Sequence, residues 1–398
     1  MPPSRRDTLG LLGAGAALLA AQPALSNERP SIKEGNAAVS TPRRSQPAPA
    51  IYNLLELEGL AAEVIPRPAF DYIARGAGDE QTLRENRTAF SRVFVDQRIL
   101  SGKTVASLEM TILGSRLRAP FMVSAMAAHG LAHASAESGT ARGAAAYGTL
   151  LGVSTVATQN LEQVAAASQG DKWFQCYLTR DSGFNGELLQ RARAAGYKAI
   201  VLTADVTVGG NREQDRRNAL RLPTPGNFLD DSGQPRAIER AFDSRIGLDS
   251  LAFVRQHSSG LPLIVKGVTT RADARAVLQQ GVDAIQVSNH GGRQLDGSPA
   301  AFESLQRVAD EVQGQVPLLF DSGIRRGLDV FKALAAGADL VAVGRPVLYG
   351  LALNGWQGVQ AVLEQLEQEL RIVMQLSGAA TLADIRSTPL LHSALRDS

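Results

Sequence analysis

The 398-residue chain has room for one large barrel of about 250 residues with extensions, or for two ordinary domains. Its 44% hydrophobic and 20% charged residues match soluble globular averages, which excludes a chain disordered throughout and a multi-span membrane protein. A formal charge of +2 from dispersed Lys and Arg leaves no footprint for nucleic acid, and Cys176 as the sole cysteine excludes a disulfide framework and any multi-cysteine metal site.

In chain order, Ser4-Arg5-Arg6-Asp7-Thr8-Leu9 lead into an apolar, small-residue run from Leu9 to Ala21, with Ala24-Leu25-Ser26 as a cleavage site. This pattern predicts a twin-arginine-type signal peptide over residues 1–26 and hence export, because the run is shorter than the roughly 20 residues that span a bilayer. Residues 27–50, rich in Pro, Ser, Arg and Ala without apolar periodicity, read as a linker. From Leu54 to about Phe90 the pattern is that of amphipathic helices, a helical cap over about 51–105 that carries Tyr72. A half-buried helical tyrosine serves packing as often as chemistry, so the residue type alone leaves its role open.

Eight short apolar runs follow, within a barrel region of about 106–390: Phe121 to Ser124, Leu150 to Thr155, Trp173 to Leu178, Ala199 to Asp205, Leu261 to Gly267, Ala284 to His290, Pro317 to Gly323, and Leu340 to Arg345. Strands alternating with helical stretches imply a parallel sheet, and eight units is the count that closes a (β/α)8 TIM barrel, with a doubly wound open sheet as the alternative α/β fold. After the fourth run, Val206 to about Asp249 forms a long insertion of the kind that acts as a lid. Polar residues cluster at the C-terminal ends of the runs. Gln175 and Tyr177, Thr203 and Asp205, Ser288 and His290, and Asp321 and Gly323 are spaced by two, which turns each pair toward one side of its strand and the whole set toward one mouth. Cys176, out of phase with Gln175 and Tyr177, is expected to face the helices.

The segment Ser288-Asn289-His290-Gly291-Gly292-Arg293-Gln294-Leu295-Asp296-Gly297 resembles the active-site segment of the FMN-dependent 2-hydroxy-acid oxidising family, with most likeness to its bacterial L-lactate oxidases. The likeness runs from about Ile51 to Ile385 and includes Gly76-Ala77-Gly78-Asp79, Thr207-Val208-Gly209-Gly210-Asn211-Arg212-Glu213, Asp321-Ser322-Gly323-Ile324-Arg325-Arg326-Gly327 and Gly344-Arg345-Pro346. The resemblance implies that His290 is the catalytic base and Asp205 its partner; an imidazole titrates near neutrality, and a carboxylate beside it favours the charged form. It implies that Arg212 and Arg293 bind a substrate carboxylate through paired donors, that Tyr72 and Tyr177 contact the substrate, and that Lys266 stands beside the electron-rich edge of the flavin. For the cofactor, FMN, it implies phosphate contacts at Gly323, Arg325, Gly344 and Arg345, ring contacts at Ala125, Met126, Ala127, Ser154, Gln175 and Thr203, and further contacts at Ser288, Asp321 and Ser322.

The implied reaction is oxidation of a small anionic L-2-hydroxy acid, L-lactate foremost, to the 2-keto acid. Ala127 is shared with the oxidases and points to oxygen as acceptor; a quinone or cytochrome, or monooxygenation, are the alternatives, and an exported flavin-carrying or solute-binding protein is the non-enzymatic one. Family members are commonly tetramers, which makes a homo-oligomer the expectation. Three departures concern the substrate pocket: Val156 stands where members carry an aromatic residue, Val208 replaces an arginine of glycolate oxidase, and the loop from Leu222 to Ala241 lacks the tyrosine of the lactate oxidase lid.

Overall fold

The computed structural model describes residues 51–239 and 241–393; the expected signal peptide and linker lie outside them. Eight parallel strands, β1 (Phe121–Met126), β2 (Leu151–Ser154), β3 (Lys172–Cys176), β4 (Ile200–Thr203), β5 (Leu263–Val268), β6 (Ala284–Val287), β7 (Leu318–Phe320) and β8 (Leu340–Val343), pair in chain order, and β8 pairs back onto β1. The sheet is therefore a closed (β/α)8 barrel, not an open doubly wound sheet.

Most strands are shorter than the apolar runs that announced them. Tyr177, Asp205, Ser288, His290, Asp321 and Gly323 lie beyond the last paired residue of their strands, so strand alternation does not aim them. Loops do: the chain leaves β6 and β7 through left-handed residues, with φ of 58° at His290, 89° at Ser322 and 94° at Gly323, which no ladder accommodates.

Alternation governs the strands themselves. Met122, Leu150, Trp173, Ile264 and Leu319 point into the barrel and form one apolar cluster with Ile112 and Leu117 of the hairpin Met110–Ile112/Ser115–Leu117, which closes the N-terminal end. The Trp173 indole N–H donates to Ser115 Oγ at 3.2 Å, so its one polar group is satisfied where it is buried. Phe174 and Cys176, on the opposite face of β3, belong to the larger core between barrel and helices. Burial there pushes the Cys176 thiol up to about 12, leaving it an inert packing group.

The cap consists of α1 (Leu57–Val64), α2 (Arg67–Ala74) and α3 (Gln81–Ser91). Helix α2 ends because Arg75 turns extended and Gly76 must pass close to the barrel, where an added Cβ would lie 2.8 Å from Gly292 O. Its last carbonyls lack intrahelical partners, and two barrel arginines supply them: Arg293 Nη1 donates to Tyr72 O, and Arg345 Nε donates to Ile73 O at 2.9 Å. Ala77 N also donates to Gly292 O at 2.9 Å. These bonds hold Tyr72 over the C-terminal mouth of the barrel.

Candidate active site

At that mouth opens a cavity of 510 Å³, lined by the residues that end β1, β2, β5 and β8, by Tyr72 of the cap and by Leu222, Pro225 and Phe242 of the insertion. His290 is its chemical centre. Imidazole Nδ1 lies 3.1 Å from Asp205 Oδ1 and 3.4 Å from Lys266 Nζ, and Nε2 lies 3.4 Å from the Tyr177 hydroxyl. A proton on Nδ1 satisfies Asp205, which leaves the Nε2 lone pair facing Tyr177 and the cavity. Burial lowers the imidazole pKa and the Lys266 ammonium lowers it further, against the opposing pull of Asp205, so the ring is neutral at pH 7 and ready to accept a proton. For Asp205, burial would raise the pKa, but Lys266 and His290 outweigh it and hold the carboxyl at about 2. The Tyr177 phenol is pushed up by burial and by Asp205, and it stays protonated.

The local sequence explains why the ring can sit here. His290, Gly291 and Gly292 take successive positive φ values of 58°, 65° and 74°. A left-handed histidine is a strained residue held by its surroundings, and here the His290 amide donates to Ser288 Oγ at 3.0 Å. A Cβ on Gly292 would lie 2.6 Å from Leu83 N, so this glycine permits both the backbone angle and the approach of the cap.

On the cap side of the cavity, Arg293 and Arg212 stand over the Tyr72 ring, 4.8 and 5.5 Å from its centroid. Arg212 Nε is fixed by Asp215 at 2.8 Å. Burial lowers the pKa of Arg293, the mark of a cation that an anionic ligand would stabilise. Two guanidiniums around one phenol present the paired donors a carboxylate requires.

Deeper in, Ser154 Oγ donates to Gln175 Oε1 at 2.8 Å and Gln175 Nε2 donates to Thr203 Oγ1 at 3.0 Å, a relay across β2, β3 and β4. Asp321 accepts from Ser288 Oγ and Ser322 Oγ at 2.7 Å each and from Gln286 Nε2 at 2.6 Å, and lies 3.9 Å from Lys266. Ala125, Met126 and Ala127 line the adjoining wall. Beyond β7 and β8, Arg325 and Arg345 line the cavity with Gly323 and Gly344. The side-chain bonds of Arg325 and Arg345 run to backbone carbonyls: Arg325 Nη1 to Ile324 O at 2.9 Å, and Arg345 to Ile73 O, Gly291 O and Arg75 O. Burial lowers both pKa values, that of Arg345 to about 10. Among the described residues, buried Arg325 and half-buried Arg345 are held through backbone carbonyls beside glycines, an arrangement that suits a phosphate.

Of the sequence-selected residues, Asp205, Gln175, Thr203 and Ser288 do not line the cavity; Asp205, Gln175 and Ser288 bond to His290, Ser154 and Asp321, which do, and Thr203 bonds to Gln175 behind them. Four contributors were not singled out. Gln286 is the lone amide in the apolar strand β6, a signal legible in the sequence. Gln294 ties the His290 loop to the β4 loop by donating to Asp205 O and Val208 O at 2.8 and 2.9 Å. Asp215 and Phe242 lie in the insertion, where no periodicity points inward.

Residues 61–392 match the family model described as FMN-dependent dehydrogenase. The chain belongs to this family. An L-lactate oxidase from Lentilactobacillus hilgardii is 46% identical over 86% of this chain and 95% of its own. A solved (putative) lactate oxidase from Pediococcus acidilactici superposes with a TM-score of 0.82 at 46% identity, covering 86% of this chain and 95% of that one. A mandelate oxidase solved with (S)-2-phenylpropionate gives 0.80 at 38% identity, covering 86% and 99%. The chain is accordingly an FMN-dependent oxidoreductase, and the arginines after β7 and β8 together with the polar relay fit that cofactor.

Proposed function

We propose that this chain oxidises a small L-2-hydroxy acid, L-lactate foremost, to the 2-keto acid, with oxygen as acceptor and hydrogen peroxide as co-product. The observation that carries the reading is one neutral imidazole, backed by Asp205 at 3.1 Å, sharing a cavity with two guanidiniums around Tyr72. Arg212 and Arg293 take the carboxylate, which orients the substrate so that its hydroxyl meets His290 Nε2 and the Tyr177 hydroxyl. His290 takes a proton, and Asp205 and the oriented Nδ1–H stabilise the imidazolium that results. Bound FMN supplies the two-electron acceptor.

Toward that cofactor, Arg325, Arg345 and the backbone N–H groups of Gly323 and Gly344 would hold the phosphate. Asp321 and Ser322, with Ser288 behind them, would line its path, and Ser154 and the Ala125–Ala127 backbone would contact the ring, with Gln175 and Thr203 supporting Ser154. Lys266 would stabilise negative charge at the ring's electron-rich edge and so favour electron uptake. The lactate oxidase names of two relatives support both lactate and oxygen. Anaerobic mixing of the FMN-loaded protein with L-lactate, glycolate and L-mandelate tests the reading. Fastest flavin bleaching by L-lactate and rapid recovery in oxygenated buffer are expected. No bleaching by any of the three would refute the substrate class, and slow recovery would move the acceptor to a quinone or cytochrome.

Export by a twin-arginine route is part of the proposal, supported by Arg5-Arg6 and the apolar run behind them, and a purely cytoplasmic fraction would overturn it. A homo-tetramer is likewise proposed, to be checked by light scattering; a monomeric mass would overturn it.

A further inference from the structure

We infer that Phe242, in the insertion after β4, is a positioning residue that fixes the Tyr177 phenol against His290. This rests on the function proposed above. Among the described residues the hydroxyl of Tyr177 has one hydrogen-bond contact, His290 Nε2 at 3.4 Å, which is too long to hold a ring in one orientation. A second constraint comes from the side. The Phe242 ring stacks on that of Tyr177 with centroids 4.7 Å apart and planes 27° apart.

Phe242 is placed to do this because its backbone is stitched to the residues that follow Tyr177. Phe242 and Thr179 form an antiparallel bridge, Arg180 N donates to Ala241 O at 3.0 Å, and Asp243 N donates to Leu178 O at 2.9 Å. The two rings therefore rise from backbone segments that cannot move apart without breaking both bonds. Nearer the middle of the insertion, Asn227 is fully buried, accepts from Leu161 N and donates to Thr155 O, each at 2.9 Å. The Tyr177 amide in turn donates to Thr155 Oγ1 at 3.0 Å. One anchor of the insertion thus joins the segment after Tyr177 and the other joins Thr155 just after β2, which itself bonds the Tyr177 amide, so this part of the loop acts as a fixed wall instead of a free lid. The stacked ring lets a tyrosine with one weak polar contact keep its hydroxyl beside the base.

The test is a double-mutant cycle on the FMN-loaded protein, with the limiting rate of anaerobic bleaching by L-lactate and the half-saturating concentration read separately. F242A should lower the limiting rate about 10- to 100-fold, the cost of misplacing a reacting group by about 1 Å, while half-saturation changes far less. In the Y177F background the same substitution should cost less than about threefold, because the group it positions is already gone. F242Y keeps the stacking face and should retain most of the rate, and FMN content and thermal melting report that each variant is folded. Equal losses in both backgrounds, or a change confined to half-saturation, would overturn the positioning role alone. A Y177F protein as fast as the parent would overturn the assignment of Tyr177 in the proposed function, and the role of Phe242 with it.

Discussion

The inner surface of the barrel divides into two regions built from the same strands by the same alternation. On β3, Trp173 and Gln175 are two residues apart and both buried, yet the indole packs with Met122, Leu150 and Ile264 while the amide relays hydrogen bonds between Ser154 and Thr203. One step up the strand, the barrel passes from a floor that holds the fold to a mouth that holds a ligand. The difference lies in what fills the space above each layer. The floor is closed by the hairpin of Ile112 and Leu117, so apolar side chains bury their surface against one another. The mouth opens into the cavity, where buried Arg325 and half-buried Arg345 and Arg293 keep charges whose partial desolvation a bound anion would offset.

Substitutions in the two regions should therefore fail in opposite ways. His290→Ala is expected to lower the rate of anaerobic flavin reduction by about 10²- to 10⁴-fold, since it removes the proton acceptor, while thermal melting and FMN content stay near the parent values. Trp173→Ala should do the reverse. Loss of a fully buried indole costs about 3–5 kcal/mol of stability, read by denaturant unfolding, with turnover per folded molecule close to unchanged. If Trp173→Ala slowed the chemistry as much as His290→Ala, or His290→Ala unfolded the protein, the division between floor and mouth would not hold.

The sequence shows the floor and the mouth with unequal clarity. The eight strands were legible because parallel strands buried on both faces are written as short apolar runs, and the polar residues that end them marked the mouth. Asp205, Lys266 and His290 are found at those ends, although loops with left-handed residues aim His290 and Gly323, where strand alternation had suggested a shared strand face. The insertion was the opaque part. Its inward residues follow neither a period of two nor one of 3.6, so Asp215, which fixes Arg212, and Phe242, which covers Tyr177, could not be picked out from their neighbours. The double role of Arg293 and Arg345 was also hidden: both line the cavity and also satisfy the open end of α2, a tertiary contact that spans more than 200 residues of chain.

The smallest expected effect concerns the balance of charge on His290 itself. Burial and Lys266 lower its pKa below the ordinary value of 6.5, and Asp205 pulls it upward. The neutral ring is the active form, so lowering the pKa keeps the base available to more acid solution; the rate of flavin reduction should hold level through neutral pH and fall only below 6.5, as the imidazole gains a proton. Lys266→Met removes a positive charge 3.4 Å from Nδ1, which makes the imidazolium easier to form, and the acid limb should move to higher pH. Asp205→Asn removes the opposing charge and should move it lower. These shifts separate the mouth's electrostatics from its packing, because neither substitution touches the floor. An acid limb that lies above 6.5 in the parent, or that moves downward in Lys266→Met, would show that a group other than His290 sets the proton transfer.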